Sequence, residues 1–215
     1  MEDIVLFGAG GHTKVLIDII EKMGRHQIIG IYDDRSELFG TNYFGYPVIG
    51  PIRSNYAVKR GIIGIGDNDS RAAVSRAILQ QSPEFEFIRA IHPSASIGRD
   101  VTIEAGTVVM AGAVINPGTT IGSHCIVNTM ASVDHDCRVD EFASVGPGSH
   151  LGGNVHVKAR SFVGIGATVI HQITIGSDSV IGAGATVLHD ISNNVIAIGS
   201  PAKPMRTREA NEKFL

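Results

Sequence analysis

The sequence predicts a small α/β domain, a Rossmann-like parallel sheet, followed by a parallel β-helix of six-residue repeats. Three observations predict it. From Ile97 to Val187 an Ile, Val or Leu recurs at every sixth position without a break. Ahead of that series, short apolar runs alternate with amphipathic segments in the order strand, helix, strand, helix, strand. The chain also has 26 glycines, no tryptophan and only 6% aromatic residues. A core so poor in large rings must be filled by aliphatic side chains, which suits many thin stacked layers.

The first element is DIVLFG, residues 3–8, which reads as a buried strand of a parallel sheet. GAGGH follows and opens a helix with Val15, Leu16, Ile19, Ile20 and Met23 on one face and Gly24 at its end. QIIGIYDD is the second strand and ends in Asp33 and Asp34. GIIGIGDN is the third and leads into the helix DSRAAVSRAILQQ, which stops before Pro83. FEFIRAIH is the fourth and delivers the chain to HPSASIG, where the repeats begin. The division falls between residues 1–92 and 93–215.

Ligands of such sheets bind beyond the carboxyl ends of the strands. Those ends carry Gly10, Gly11 and His12, then Asp33 and Asp34, then Gly66. The glycines let a phosphate approach a helix N-terminus, and the acids suit ribose or sugar hydroxyls. A dinucleotide fingerprint would need glycine at position 13, where Thr13 stands. The expected ligand is therefore a mononucleotide or nucleotide-sugar; a plain structural glycine turn is the alternative.

In the second half the aliphatic series is joined by a second register. Two residues before each aliphatic position the side chain is small, as at Thr107, Ala113, Ala131, Ala143, Ser161 and Ala185. Glycine often follows the aliphatic residue, as at Gly98, Gly146 and Gly164, where a sharply turning chain gains from a missing Cβ. Three six-residue pieces make an 18-residue triangular coil, and aliphatic residues stack on those 18 positions away. Burying each is worth about 1.5–3 kcal/mol before entropy is subtracted. Cys125 and Cys137 lie on the small register and are expected as free core thiols. The same arithmetic stacks His135, Gly153, His171 and His189 in one column and Pro147, Ile165 and Ala183 in another, at a different corner. A long cofactor touches both columns most readily when two neighbouring subunits each present one, which argues for a threefold assembly. His171 and His189 read as exposed corner residues.

The bulk numbers exclude other classes. A net charge of −3 gives no reason to expect nucleic acid. There is no apolar run long enough for a membrane span, and the N-terminus lacks the basic start and cleavage region of a signal peptide. Two cysteines make no disulfide framework. The expected location is the cytoplasm, with no metal.

The order GAGGH, YDD, IGDNDSR, HPSA, hexapeptides, GSPAK resembles one group over about residues 3–206. It is similar to the bacterial hexapeptide-repeat sugar acetyltransferases, which include nucleotide-amino-sugar N-acetyltransferases of the UDP-4-amino-sugar and GDP-perosamine type and their sialic acid O-acetyltransferase relatives. The resemblance implies that the β-helix is left-handed and that acetyl-CoA is the co-substrate. It implies N-acetylation of a nucleotide-linked amino sugar, such as a 4-amino-4,6-dideoxy sugar, by a homotrimer. It makes His135, followed by Asp136, the general base, and Asn128 and His12 contacts to the acceptor. It matches Gly153, Ile165 and Ala183 to the acetyl-CoA site, and Lys203 in GSPAK to a CoA phosphate. Where the family often has a second histidine near the thioester carbonyl, this chain has Ser144. O-acetylation of a sialic-acid-type sugar is the alternative within the fold; a non-catalytic sugar-nucleotide-binding scaffold is the alternative outside it.

Overall fold

In a computed structural model, residues 1–56, 58–209 and 212–213 are described. The first half opens with β1 (Glu2–Phe7), α1 (Gly11–Met23) and β2 (His26–Tyr32). A short hairpin follows, β3 (Asn42–Tyr43) and β4 (Tyr46–Gly50), then β5 (Arg60–Ile63) and α2 (Asn68–Gln81). These strands and β6 (Glu86–Phe87) make a six-stranded sheet in the order β3-β4-β2-β1-β5-β6, parallel except for β3. The hairpin was not expected from sequence: each strand offers too few residues to show a period. On α1 the buried side chains are Thr13, Leu16, Ile17, Ile19 and Ile20, while Val15 is 39% exposed. The predicted apolar face is thus rotated slightly, toward Ile17.

FEFIRAIH is two strands. β6 ends the first sheet, whereas β7 (Ala90–Ile91) pairs with Val108 and Val109 in the β-helix. From Ser96 to Val187 a two-residue strand recurs every six residues, and each pairs in parallel with the strands 18 residues away. Three sheets result, stacked as the faces of a triangular prism. The second residue of each pair points inward. Val109, Ile115, Ile121, Val127, Val133, Val139, Val145, Val157, Val163, Ile175, Ile181 and Val187 are at most 1% exposed and form one continuous core. Cys125 and Cys137 lie in that core as free thiols. Beyond it the strands Val195–Ile198 and Lys203–Thr207 pair antiparallel and close the end of one face.

The corners show a third register that the sequence reading misplaced. The residue that turns through left-handed space is the third after each aliphatic residue, as at Asp100, Gly106, Gly118, His124, Asp136, Phe142 and Gly148. The glycines directly after the aliphatic positions serve close approach instead. A β-carbon at Gly146 would come within 2.6 Å of the Val163 carbonyl oxygen in the next coil, and one at Gly98 within 2.7 Å of the Pro117 nitrogen.

The outward residues tell the three faces apart. On face one, Ala90, Val108, Ile126, Ser144 and Val180 are all buried, because α1 and the N-terminal half of α2 lie over them. Leu16 and Ile20 of α1 join Val108, Met110 and Ile126 in one apolar cluster. Face two presents Ser96, Val114, Ser132, His150, Thr168 and Thr186; face three presents Thr102, Thr120, Arg138, His156 and Thr174. Those two faces carry no other part of the chain.

Candidate active site

The turn between Ser132–Val133 on face two and Arg138–Val139 on face three carries Asp134, His135 and Asp136. Its left-handed residue is Asp136, with φ of 56°. That conformation brings Asp136 Oδ2 to 2.8 Å from His135 Nδ1. The pairing assigns the proton to Nδ1 and leaves Nε2 with its lone pair outward. The hydrogen bond from Asp136 is the largest influence on the imidazole and raises its pKa above the ordinary value; Asp134 acts in the same direction. Asp134 Oδ1 accepts hydrogen bonds from the His135 backbone N–H and from Asn116 Nδ2 of the preceding coil, each 2.8 Å long. The Asn116 bond, first, and that N–H hold its carboxyl below the usual carboxylate range. The ring rests over Gly153 of the following coil, where a β-carbon would stand 2.5 Å from Nε2. An exposed imidazole, oriented by a carboxylate and seated on a glycine, is fit to take a proton from an attacking group.

A second assembly lies at the carboxyl ends of β1, β2 and β5. Gly10 and Gly11 are exposed, with nothing within 4 Å of the positions their β-carbons would occupy. No side chain caps α1, and no acidic residue stands in its first turn. Its first N–H groups are therefore available to an anion, with the helix dipole behind them. Thr13, in place of the third fingerprint glycine, is fully buried and donates to the Gly8 and Gly64 carbonyls, tying the ends of β1 and β5 together. His12 Nε2 is buried with no hydrogen-bond partner. Burial, and then the Arg71 charge, push the His12 pKa down to about 4, so the ring is neutral at pH 7.

Three comparisons bear on these two assemblies. The family model described as the PglD N-terminal domain matches residues 3–78, and the bacterial transferase hexapeptide model matches residues 94–129. PerB from Caulobacter crescentus, solved in complex with CoA and GDP-perosamine, is 37% identical; the match covers 96% of this chain and 98% of that one, with a TM-score of 0.88. The acetyltransferase domain of PglB from Neisseria gonorrhoeae FA1090, solved with acetyl coenzyme A, is 33% identical over 95% of this chain and 99% of that one, with a TM-score of 0.85. This chain belongs to the hexapeptide-repeat sugar N-acetyltransferases. A curated member, the UDP-N-acetylbacillosamine N-acetyltransferase of Bacillus subtilis (strain 168), is 33% identical over 117 residues, and the match spans about half the length of each protein.

Within this N-acetyltransferase the residues singled out by sequence fall into three groups. Gly10, Gly11, His12, Asp33, Asp34 and Gly66 meet at the strand ends; His135, Asp136 and Gly153 meet at the edge between faces two and three. Asn128, Ile165 and Ala183 share the other edge of face two, where Ile165 is 56% exposed and Ala183 is also exposed. Asn128 Oδ1 accepts the Thr129 N–H, leaving its amide nitrogen unengaged, and Lys203 is exposed in the final strand.

Four placements differ from expectation. Ser144, expected at the thioester carbonyl, sits on covered face one, 3% exposed; its hydroxyl donates to Asn68 Oδ1 and accepts from Arg71 Nη2. Nine residues is half a coil, so His135 and Ser144 point to different sides of the prism. Asp33 is 7% exposed, and its carboxylate is taken by the Ala9 N–H and by Arg35, so it shapes the glycine loop. Asp34 Oδ1 accepts the Ile52 N–H. Gly66 offers its carbonyl to Arg71 Nη1.

Sequence reasoning missed Arg71 altogether. It is 1% exposed and donates to the carbonyls of Ile65, Gly66, His124 and Phe142, and to Asn68 Oδ1. One guanidinium thus bonds the strand-end loop to the turns of two successive coils. Its partners lie as far as 71 residues away in sequence, so no spacing could reveal it. Arg35, whose Nη2 donates to the Ala9 carbonyl, was also missed. Among the described residues no group of His, Cys, Asp or Glu is arranged to hold a metal, and no helix is long and apolar enough to cross a membrane.

Proposed function

We propose that this chain transfers the acetyl group of acetyl-CoA directly to the amine of a nucleotide-linked amino sugar, such as a 4-amino-4,6-dideoxy sugar, with His135 as general base. The observation that carries it is the His135–Asp136 pair seated on Gly153 at an open edge of the prism. Neutral Nε2 takes a proton from the amine as the C–N bond to the thioester carbonyl carbon forms. The C–S bond then breaks, and the thiolate receives the proton back from the imidazolium, which Asp136 stabilises. A covalent acyl-enzyme has no suitable nucleophile. The Cys125 thiol donates to the Asp140 carbonyl, and burial pushes its pKa up to about 12; the Cys137 thiol donates to the Gly152 carbonyl, and burial raises it likewise.

The nucleotide part of the acceptor belongs at the glycine loop, on the free N–H groups of α1, beside His12. CoA belongs along the edges of face two that carry Gly153, Ile165 and Ala183, with Lys203 on a phosphate. The two assemblies are on different parts of the prism: the α/β domain covers face one, while His135 stands on the one edge that face one does not border. A neighbouring copy can bring its glycine loop to that edge, which supports a homotrimer with each active site between chains. The reading places the protein in the cytoplasm, where acetyl-CoA and sugar nucleotides are found. Thiol release from acetyl-CoA with UDP-, GDP- and dTDP-linked 4-amino-4,6-dideoxy sugars tests the function. Turnover of at least one is expected; transfer only to a sugar hydroxyl, or thiol release independent of every acceptor, overturns it.

A further inference from the structure

We propose that Asp134 selects the charge of the acceptor: its second carboxylate oxygen, fixed beside the base through Asn116, takes the ammonium of the bound amino sugar and so favours amines over hydroxyls. The inference rests on the acetyltransferase reading above and adds a specificity-determining residue to it. Asp134 Oδ1 is occupied twice, by Asn116 Nδ2 and by the His135 N–H, which fixes the carboxylate against the previous coil. Oδ2 has no partner among the described residues. Asp136 is not available for the same task, because its Oδ2 is engaged with the ring it orients. The groups facing the imidazole are Asp134 and Asp136 on its own turn, Asn116 one coil before by way of Asp134, and Gly153 one coil after; the charges acting on it are both negative.

This arrangement suits an amine and gives nothing to an alcohol. An amine flanked by electron-withdrawing substituents behaves like an α-amino group, which titrates near about 8, so the acceptor arrives mostly as ammonium. A fixed anion takes that cation in a charge-assisted hydrogen bond. One proton then leaves to water, and the amine attacks the carbonyl carbon. Its second proton passes to His135 Nε2 as the C–S bond breaks. A sugar hydroxyl in the same place carries no charge for Asp134 to bind.

The test uses the full-length enzyme with Asp134→Asn and, independently, Asn116→Leu, which frees the carboxylate without removing it. Steady-state kinetics at pH 7 with the preferred amino-sugar nucleotide come first for the wild type. Asp134→Asn is expected to raise the acceptor KM about tenfold, the size of one lost hydrogen bond to a charged group, with the acetyl-CoA KM within about twofold. Inhibition by the same nucleotide-sugar bearing a hydroxyl in place of the amine should keep its Ki within about twofold, a readout that a general distortion of the turn would move. Asn116→Leu shifts the acceptor KM in the same direction by less. Parallel loss of the hydroxyl analogue's binding, or an unmoved acceptor KM in a wild type that turns over, overturns the inference alone. A wild type that acetylates no amino sugar overturns the reading beneath it as well.

Discussion

His135 has to be neutral to accept a proton, and Asp136 raises the pH at which it becomes so. The rate therefore climbs with pH through the imidazole pKa, and that limb lies above the ordinary histidine range. Asp136→Asn removes the anion and lowers the pKa, so the limb should move to lower pH while kcat on the plateau falls. Asparagine is the informative replacement because Asp136 turns at φ of 56°, a conformation that asparagine tolerates and alanine does not. His135→Ala should cut kcat by roughly 10²–10⁴-fold with little change in acetyl-CoA affinity. A kcat–pH profile for wild type and both variants, with mass spectrometry of enzyme mixed with acetyl-CoA alone, checks the set. A stable acetyl-enzyme that passes its group to the sugar would refute direct transfer.

A coil of this helix makes residues 18 apart into neighbours, so the base can be disturbed from the next coil. Gly153→Ala would place a methyl group 2.5 Å from His135 Nε2. The ring must tilt, and a misplacement of that order should cost about 10²-fold in kcat, while the melting temperature stays within a few degrees. An unchanged kcat would show that the ring does not act from this position. The stacking was legible in sequence because every coil needs an inward Ile, Val or Leu, and sixteen consecutive matches leave no other period. The His135–Asp136–Gly153 grouping followed from the same arithmetic. What the period could not show was which polar groups are already spent. Asp33 looked like a ribose ligand until the Ala9 N–H and Arg35 were found on it, and Ser144 looked like an oxyanion contact until it was found under α2. Both depend on partners from elements whose approach no local pattern encodes. Val15 is the milder case, one helical position out of phase with the face that α1 buries.

For the molecule as a whole, the separation of glycine loop and base makes a test by mixing. Gly11→Asp would put a like charge where the sugar nucleotide's phosphates belong, in open space that a side chain can occupy. His135→Ala removes the base. Each variant alone should be inactive as a homotrimer, but co-expression should restore activity to roughly a quarter of wild type if subunits of a cyclic trimer assemble at random. A mixture no more active than its parts would place loop and base of one chain at the same site. The prism has a further consequence, for the lengths this chain can take. Arg71 clasps the turns at His124 and Phe142, so the α/β half is keyed to particular coils. An insertion of six residues between those turns and His135 would carry the base around to the next edge, and one of twelve would carry it to the edge after. Only eighteen restores the edge, one storey higher and away from its acceptor. Natural length variation ahead of the base should therefore be confined to loops that bulge from a corner, and whole added coils should accumulate beyond Val187, where they lengthen the column without turning it.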